Sequence, residues 1–285
     1  MAPAGPCDEL VTVSLRFRIL GSGSSGNATL VEAGATRILI DAGLGPRALT
    51  ERLLSAGVDP ASLAAVFLSH EHGDHARGAA ALSAKWGVPL AGTRGTYAAA
   101  GLGAETIAGY EVLEPGATRQ VGELTVTGVR VPHDASMPIA FVVAWGDVGL
   151  GHATDLGHLS ASVIEAFSRC RTLLIESNHD PGLLRDGPYP WALKERILGP
   201  EGHLSNRDVA RYLEGGLGQG CSRVVLAHLS EKNNHPELAL ASAEQALSRA
   251  GRKDVRVELA GRHGTGWLEV AGARAPAPPG QMRLW

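Results

Sequence analysis

The sequence predicts an α+β protein of the αββα type, two facing mixed β-sheets with helices on the outer faces. Three observations point there. Short strand-like runs follow one another early in the chain through Gly-rich turns, with no crossover helix between them, which argues against a doubly wound sheet. A strand-rich stretch carrying helices then occurs a second time. No linker or composition break divides the two halves. One domain over 15–270 is therefore expected, after an extension over 1–14 and before an Ala/Pro/Gly-rich tail over 271–285.

The elements follow in order. Arg16–Leu20, Thr29–Glu32 and Arg37–Ile40 read as strands, with Gly34-Ala35 a hairpin turn. Pro46–Ala56 has helical periodicity and stops at Gly57. Val66–Leu68 is a short buried strand, Ala76–Trp86 an Ala-rich helix closed by Gly87, Val88–Ala91 a strand and Thr93–Ala100 a helix. Gln120–Val131 alternates as a hairpin, and Ala140–Trp145 and Val148–His152 flank the turn Gly146-Asp147. Ser160–Arg169, with Ser160 as cap, is helical, and Thr172–Glu176 is a buried strand. Asn206–Gly215 and Pro236–Ala250 are helices; Arg223–Ala227, Val255–Leu259 and Gly266–Val270 are strands.

Composition narrows the function classes. A chain of 285 residues that is 44% hydrophobic can bury a sizeable core. A net charge of −3 provides no global basic field for nucleic acid, although a few local Arg or Lys can still hold phosphates. Cys7, Cys170 and Cys221 form neither a Cys-x-x-Cys pattern nor a disulfide framework, which fits a reducing cytoplasm. Residues 1–14 lack the features of a signal or transit peptide, and no run approaches the ~18–20 apolar residues a membrane helix needs.

The chemistry concentrates in His70-Glu71-His72-Gly73-Asp74-His75, directly after an apolar run. Imidazole nitrogen and carboxylate oxygen suit Zn, Mn and Fe alike. His133, Asp155 and His228 each follow another strand-like run. Sorted by expected geometry, His70, His72, His133 and Asp155 would hold one divalent ion, and Asp74, His75, Asp155 and His228 a second. Asp155 would bridge cations ~3.5–4 Å apart, with a hydroxide between them as nucleophile. Asp41 would either fix the far nitrogen of a ligand histidine or close its turn. His203, before the helix at Asn206, would donate a proton to a leaving oxygen with Glu176 orienting it, or else simply enter the helix. Gly21–Asn27 lacks the Lys-Ser/Thr of a P-loop and reads as a tight turn at the rim, with Ser24 and Asn27 near substrate. His179 would line the cleft, and Arg185, Lys194 and Arg196 would meet phosphates or form a solvated face. His152, His158, His235 and His263 read as structural or surface residues.

The ordered set Asp41, His70-x-His72-x-Asp74-His75, His133, Asp155 and His228 resembles the metallo-β-lactamase superfamily over almost all of Leu15–Val270. That resemblance implies the αββα fold and a usually dinuclear hydrolytic site. Gly21–Asn27, Glu176–Asp180, Gly202–Asn206 and His228–Asn234 are similar to the bacterial WalJ/YycJ-type group. This likeness implies a metal-dependent hydrolase, with some members linked to 5′-to-3′ exonuclease action on DNA. Pairing of Glu176 with His203 resembles the proton-donor arrangement of ribonuclease Z, but the long arm that enzyme uses for transfer RNA is missing. A phosphodiesterase or nuclease, acting on nucleic acid or another phosphodiester, is the leading expectation. An ester, thioester or lactone hydrolase and a non-catalytic metal-bound module are the alternatives.

Overall fold

Ile38, Leu39 and Ile40 are all fully buried, yet consecutive side chains of a strand point to opposite faces. Ile38 and Ile40 enter a core between two sheets, and Leu39 enters a second core beneath helices. The other sheet repeats this at Leu173, Leu174 and Ile175, where Leu174 alone faces the shared core. Continuous apolar runs of this kind are what a sheet covered on both faces requires.

The computed structural model describes residues 14–270 and Gly272. Apart from Ser14 and Gly272, the expected extension and tail lie outside the described residues. The first sheet comprises β1 (Arg16–Gly21), β2 (Ala28–Ala33), β3 (Thr36–Ile40), β4 (Ala65–Phe67), β5 (Leu90–Gly92) and β6 (Tyr110–Val112). The second comprises β7 (Thr118–Val121), β8 (Leu124–Arg130), β9 (Ile139–Trp145), β10 (Val148–Ala153), β11 (Thr172–Glu176), β12 (Arg223–Ala227) and β13 (Arg256–Leu259). A final strand, β14 (Leu268–Glu269), returns to pair with β1. In each sheet an antiparallel meander gives way to parallel strands, at β3–β6 and at β10–β13.

Helices α1 (Pro46–Ser55), α2 (Gly73–Ala76), α3 (Ala79–Trp86) and α4 (Arg94–Ala99) belong to the first half. The second half carries α5 (Ala161–Phe167), α6 (Pro181–Asp186), α7 (Trp191–Leu198), α8 (Asn206–Gly215) and α9 (Pro236–Arg249). The fold class is the one expected. Two details differ. The helix expected over Ala76–Trp86 starts later, as α3 at Ala79, and is preceded by the separate short α2; Gly78 between them packs where a Cβ would stand 2.5 Å from the Leu44 carbonyl. Strand β6 and helices α6 and α7 were not anticipated. Gly187-Pro188 and Pro190 chop the α6–α7 segment into pieces too short for periodicity to register.

Parallel strands end on a common rim. Asp41 follows β3, His70 follows β4, and Asp155, Glu176 and His228 end or follow β10, β11 and β12. The rim of each sheet thus faces one cleft.

Candidate metal centre

Among the described residues other than glycine, only Asp41, Asp155 and His228 have positive φ, at 59°, 60° and 53°. Left-handed backbone costs about 1–2 kcal/mol for such residues. All three lie at strand exits on the shared rim, so the strain is concentrated where the side chains converge.

Three turns of the first half stack backbone to backbone. Asn27 N donates to Asp74 O, Ala42 N to His75 O and Gly43 N to Asn27 O, all within 2.7–2.8 Å. A Cβ on Gly43 would lie 1.6 Å from the Asp74 carbonyl oxygen, so only glycine permits this contact. Within the Gly21–Asn27 turn, the Gly23 amide is held by Asn27 Oδ1 at 2.8 Å and the Gly26 amide by Gly23 O at 2.9 Å. Ser22 Oγ accepts from His228 N at 2.8 Å, tying the two halves together. These amides clamp the site rather than cradle a phosphate.

The expected ligands gather into two groups. The donor atoms of His70, His72 and His133 lie within 4.8 Å of one another, as do those of Asp74, His75 and His228. Asp155 lies between them, within the same distance of His70 and His75. Each ring is turned by its far nitrogen. Ser69 Oγ donates to Asp41 Oδ2 at 2.9 Å, so His70 Nδ1–H donates to Ser69 Oγ at 3.0 Å. His133 Nδ1–H donates to the Gly202 carbonyl at 3.1 Å, and His75 Nδ1–H to Asp41 Oδ2 at 2.8 Å. His228 Nδ1–H donates to Glu176 Oε1 at 2.9 Å. All four rings therefore present Nε2 inward.

Several inward atoms have no hydrogen-bond partner: His70 Nε2, His228 Nε2 and Asp155 Oδ2 are buried and unsatisfied. His75 Nε2 comes within 2.7 Å of that Asp155 oxygen, but not in hydrogen-bonding alignment. Buried imidazole nitrogens and a carboxylate oxygen that converge without hydrogen-bond partners are what a cation would satisfy, and the residues fit divalent metal.

Glu176 is completely buried, and its Oε2 accepts from Leu156 N at 3.2 Å and Leu204 N at 3.1 Å. Its Oε1 accepts from His203 Nδ1 at 2.8 Å as well as from His228. The sequence reading paired Glu176 with His203 alone; the carboxylate in fact orients both imidazoles. Burial would raise the Glu176 pKa, but the charge of His203 and its hydrogen bonds hold it down at about 2. Burial would lower that of His203, and Glu176 overrides it, leaving it above the usual histidine value. A capping box between Ser205 and Asp208 fixes the entry to α8 next to His203.

The cleft over these groups has a volume of ≈210 Å³ and is also lined by Ser24, Asn178, Tyr189 and Arg196. Four expectations change. Lys194 is buried and donates to the Arg185 carbonyl at 2.7 Å, joining α7 to α6 rather than facing substrate. Arg185 is exposed and lies outside the lining; Arg196 reaches the cleft while paired with Asp134. His179 lines a separate pocket behind His203. Asn27 turns to His75 Nε2, 3.0 Å away, and away from the cleft. His152 is buried between the sheets, 3.1 Å from Thr29 Oγ1, and His158, His235 and His263 are exposed. Tyr189 and the wall formed by α7 were missed; the only sequence signal was the position of Arg196 shortly before His203.

Fold and donor set together define a hydrolase class built on two facing sheets with metal-binding side chains at one rim. The family model described as metallo-beta-lactamase superfamily matches residues 21–175, and the chain belongs to that superfamily. It is 34% identical over 242 residues to exodeoxyribonuclease WalJ of Streptococcus pneumoniae, covering 84% of this chain and 90% of that protein. Exodeoxyribonuclease YycJ of Bacillus anthracis is 31% identical over 241 residues, covering 84% and 91% respectively. The solved metallo-beta-lactamase fold protein YhfI from Bacillus subtilis is alike in fold, with a TM-score of 0.71 at 18% identity, over 90% of this chain and 99% of that one.

Proposed function

We propose that this protein is a metal-dependent nuclease that hydrolyses phosphodiester bonds in DNA, with two divalent ions held by His70, His72 and His133 and by Asp74, His75 and His228, and with Asp155 shared between them. The observation that carries this reading is the position of Asp155 between two imidazole groups, in each of which one inward nitrogen, His70 Nε2 or His228 Nε2, lacks a partner. The two exodeoxyribonuclease relatives support DNA as substrate. Cations bound there would supply Lewis acidity at phosphorus and a nucleophile from water near neutral pH.

The chain's own residues supply the rest. His203, whose pKa Glu176 raises, would donate its Nε2 proton to the leaving oxygen. Glu176 keeps His203 and His228 in register through one oxygen. Arg196 and Asn178 at the cleft wall are positioned to meet phosphate oxygens. Asp74 stays ionised: burial opposes this, and hydrogen bonding and charge from His228 and His75 lower its pKa. No helix among the described residues is long and apolar enough to cross a membrane, and Cys170 and Cys221 are buried free thiols. Both observations support action in the reducing cytoplasm, where the chain would meet DNA.

Protein loaded in turn with Mn, Zn and Fe should cleave DNA and bis(p-nitrophenyl) phosphate, and the most active metal is then assigned from elemental analysis. Turnover of an acyl ester or thioester with neither phosphodiester cleaved would overturn the nuclease reading.

A further inference from the structure

Asp134 follows His133 directly, and its amide donates to the Glu201 carbonyl at 3.1 Å. Its two carboxylate oxygens face different neighbours. Oδ2 accepts from Arg196 Nε on α7. Oδ1 lies 3.4 Å from His133 Nε2, is buried and has no hydrogen-bond partner. His133 gives its Nδ1–H to the Gly202 carbonyl, so Nε2 carries a lone pair rather than a proton. Two lone pairs at that distance repel, and a positive charge beside both would satisfy them. Charge balance points the same way. His70, His72 and His133 bring no charge to a divalent ion, and Asp155 is shared with the second group, which has Asp74 of its own. Arg196 adds a further positive charge to the cleft that His72 also lines. Two cations side by side need an anion between them. Glu71, the other acid nearby, is engaged by the Ser136 amide at 2.8 Å. Asp134 is the carboxylate that meets both His133 and Arg196.

We propose that Asp134 is a positioning residue that screens Arg196 from the ion held by His70, His72 and His133, so that metal and guanidinium share one cleft and both meet the substrate phosphate. The inference rests on the nuclease reading for its substrate. One carboxylate thereby serves two partners. Its charge strengthens the first group, and its hydrogen bond fixes Arg196. The Arg196 side chain is 54% exposed, and among the described residues Asp134 is its one hydrogen-bond partner. Without that bond the guanidinium would turn to solvent or stay and oppose the metal. The ion pair is therefore more than surface decoration, because its buried oxygen belongs to the metal side.

The test titrates Mn into metal-free D134N, R196A and D134N/R196A and follows the paramagnetic signal of the free ion. D134N keeps the shape of the side chain, and melting of the chelated protein checks each fold; should D134N not fold, D134S replaces it. D134N should weaken binding of one ion by about tenfold or more. R196A should bind Mn as tightly as the unsubstituted protein or more tightly. The double variant should recover most of what D134N loses, because the cation that Asp134 screened is gone. A purely structural Asp134 would give a loss that R196A does not repair. On DNA at saturating Mn, D134N and R196A should each raise KM by about tenfold with kcat changed less, and the double variant should be no worse than either. Unchanged Mn affinity in D134N, a loss that R196A fails to repair, or KM effects that multiply in the double variant would overturn the proposal. If the unsubstituted protein cuts no DNA, the nuclease reading fails, and the Mn titration still decides the role of Asp134.

Discussion

His70 and His133 rest their far nitrogens on neutral partners, the Ser69 hydroxyl and the Gly202 carbonyl, whereas His75 and His228 rest theirs on the carboxylates of Asp41 and Glu176. The electrostatic outcome is opposite. Without metal, burial pushes the pKa of His70 well below the usual histidine value and lowers that of His133. Burial acts in the same direction on His75 and His228, but there the charge of Asp155 wins. With help from Asp41 it raises His75 to about 10, and with hydrogen bonds from Asp74 and Glu176 it raises His228 well above its ordinary value. Burial thus favours the neutral form of His70 and His133, the form a cation would need. The second group holds protons that an incoming cation must displace. Two neighbouring sites of similar composition therefore differ in how strongly they are coupled to pH.

The comparison breaks most sharply at Asp155, the carboxylate within reach of both groups. Asparagine tolerates left-handed backbone as aspartate does, so D155N removes the charge and keeps the turn. Bound metal should fall at both groups and hydrolysis should drop to background; two ions retained in D155N would mean the groups are independent. Next in size is H203A. It should slow DNA cleavage by ~10²–10⁴-fold with both groups still filled, and slow bis(p-nitrophenyl) phosphate less, because that leaving group needs no proton. Metal lost from H203A would instead count His203 among the ligands.

D41N sharpens the contrast further. It should weaken metal binding by ~10–100-fold at the second group and less at the first, which it reaches only through the Ser69 hydroxyl. Equal losses at both groups, read by metal titration, would erase the distinction. The smallest effect is pH dependence in the metal-free protein. His75, with a raised pKa, contributes stability in full below its unfolded value of 6.5 and loses it as pH rises through about 10. His70, with a lowered pKa, contributes above 6.5 and loses stability as pH falls below it. Melting of chelated protein should therefore peak near this pH, and D41N should flatten the alkaline limb alone. His228, also raised, keeps part of that limb, and an unchanged alkaline limb in D41N would contradict the share assigned to His75.

The first group and its neighbours were legible because four donors stand within six residues on one turn. The second half was legible more weakly, through single residues at strand ends: His133, Asp155 and His228 were found only because the first cluster gave them a context. The dual role of Glu176 was not legible, since it depends on β11 and β12 pairing in parallel with Glu176 opposite Ala227, one residue before His228. Nor was the diversion of Lys194, which follows from two short helices that Pro and Gly separate. The layering of the sheets, by contrast, was read from strands that follow one another through Gly-rich turns without crossover helices; apolar runs such as Ile38–Ile40 carry the same signal, because burial on both faces removes the polar alternation that a half-exposed strand would show.

The left-handed backbone at Asp41, Asp155 and His228 carries a consequence for engineering. Glycine adopts that conformation without left-handed strain, so D41G, D155G and H228G relieve it locally, while D155G and H228G delete side chains of the cleft and D41G the carboxylate beneath His75. Where the strain relieved exceeds the buried hydrogen bonds and charge pairs lost, selection for heat resistance alone would favour glycine and yield hardier, inert proteins. Selection for durability in this scaffold must be paired with a demand for turnover.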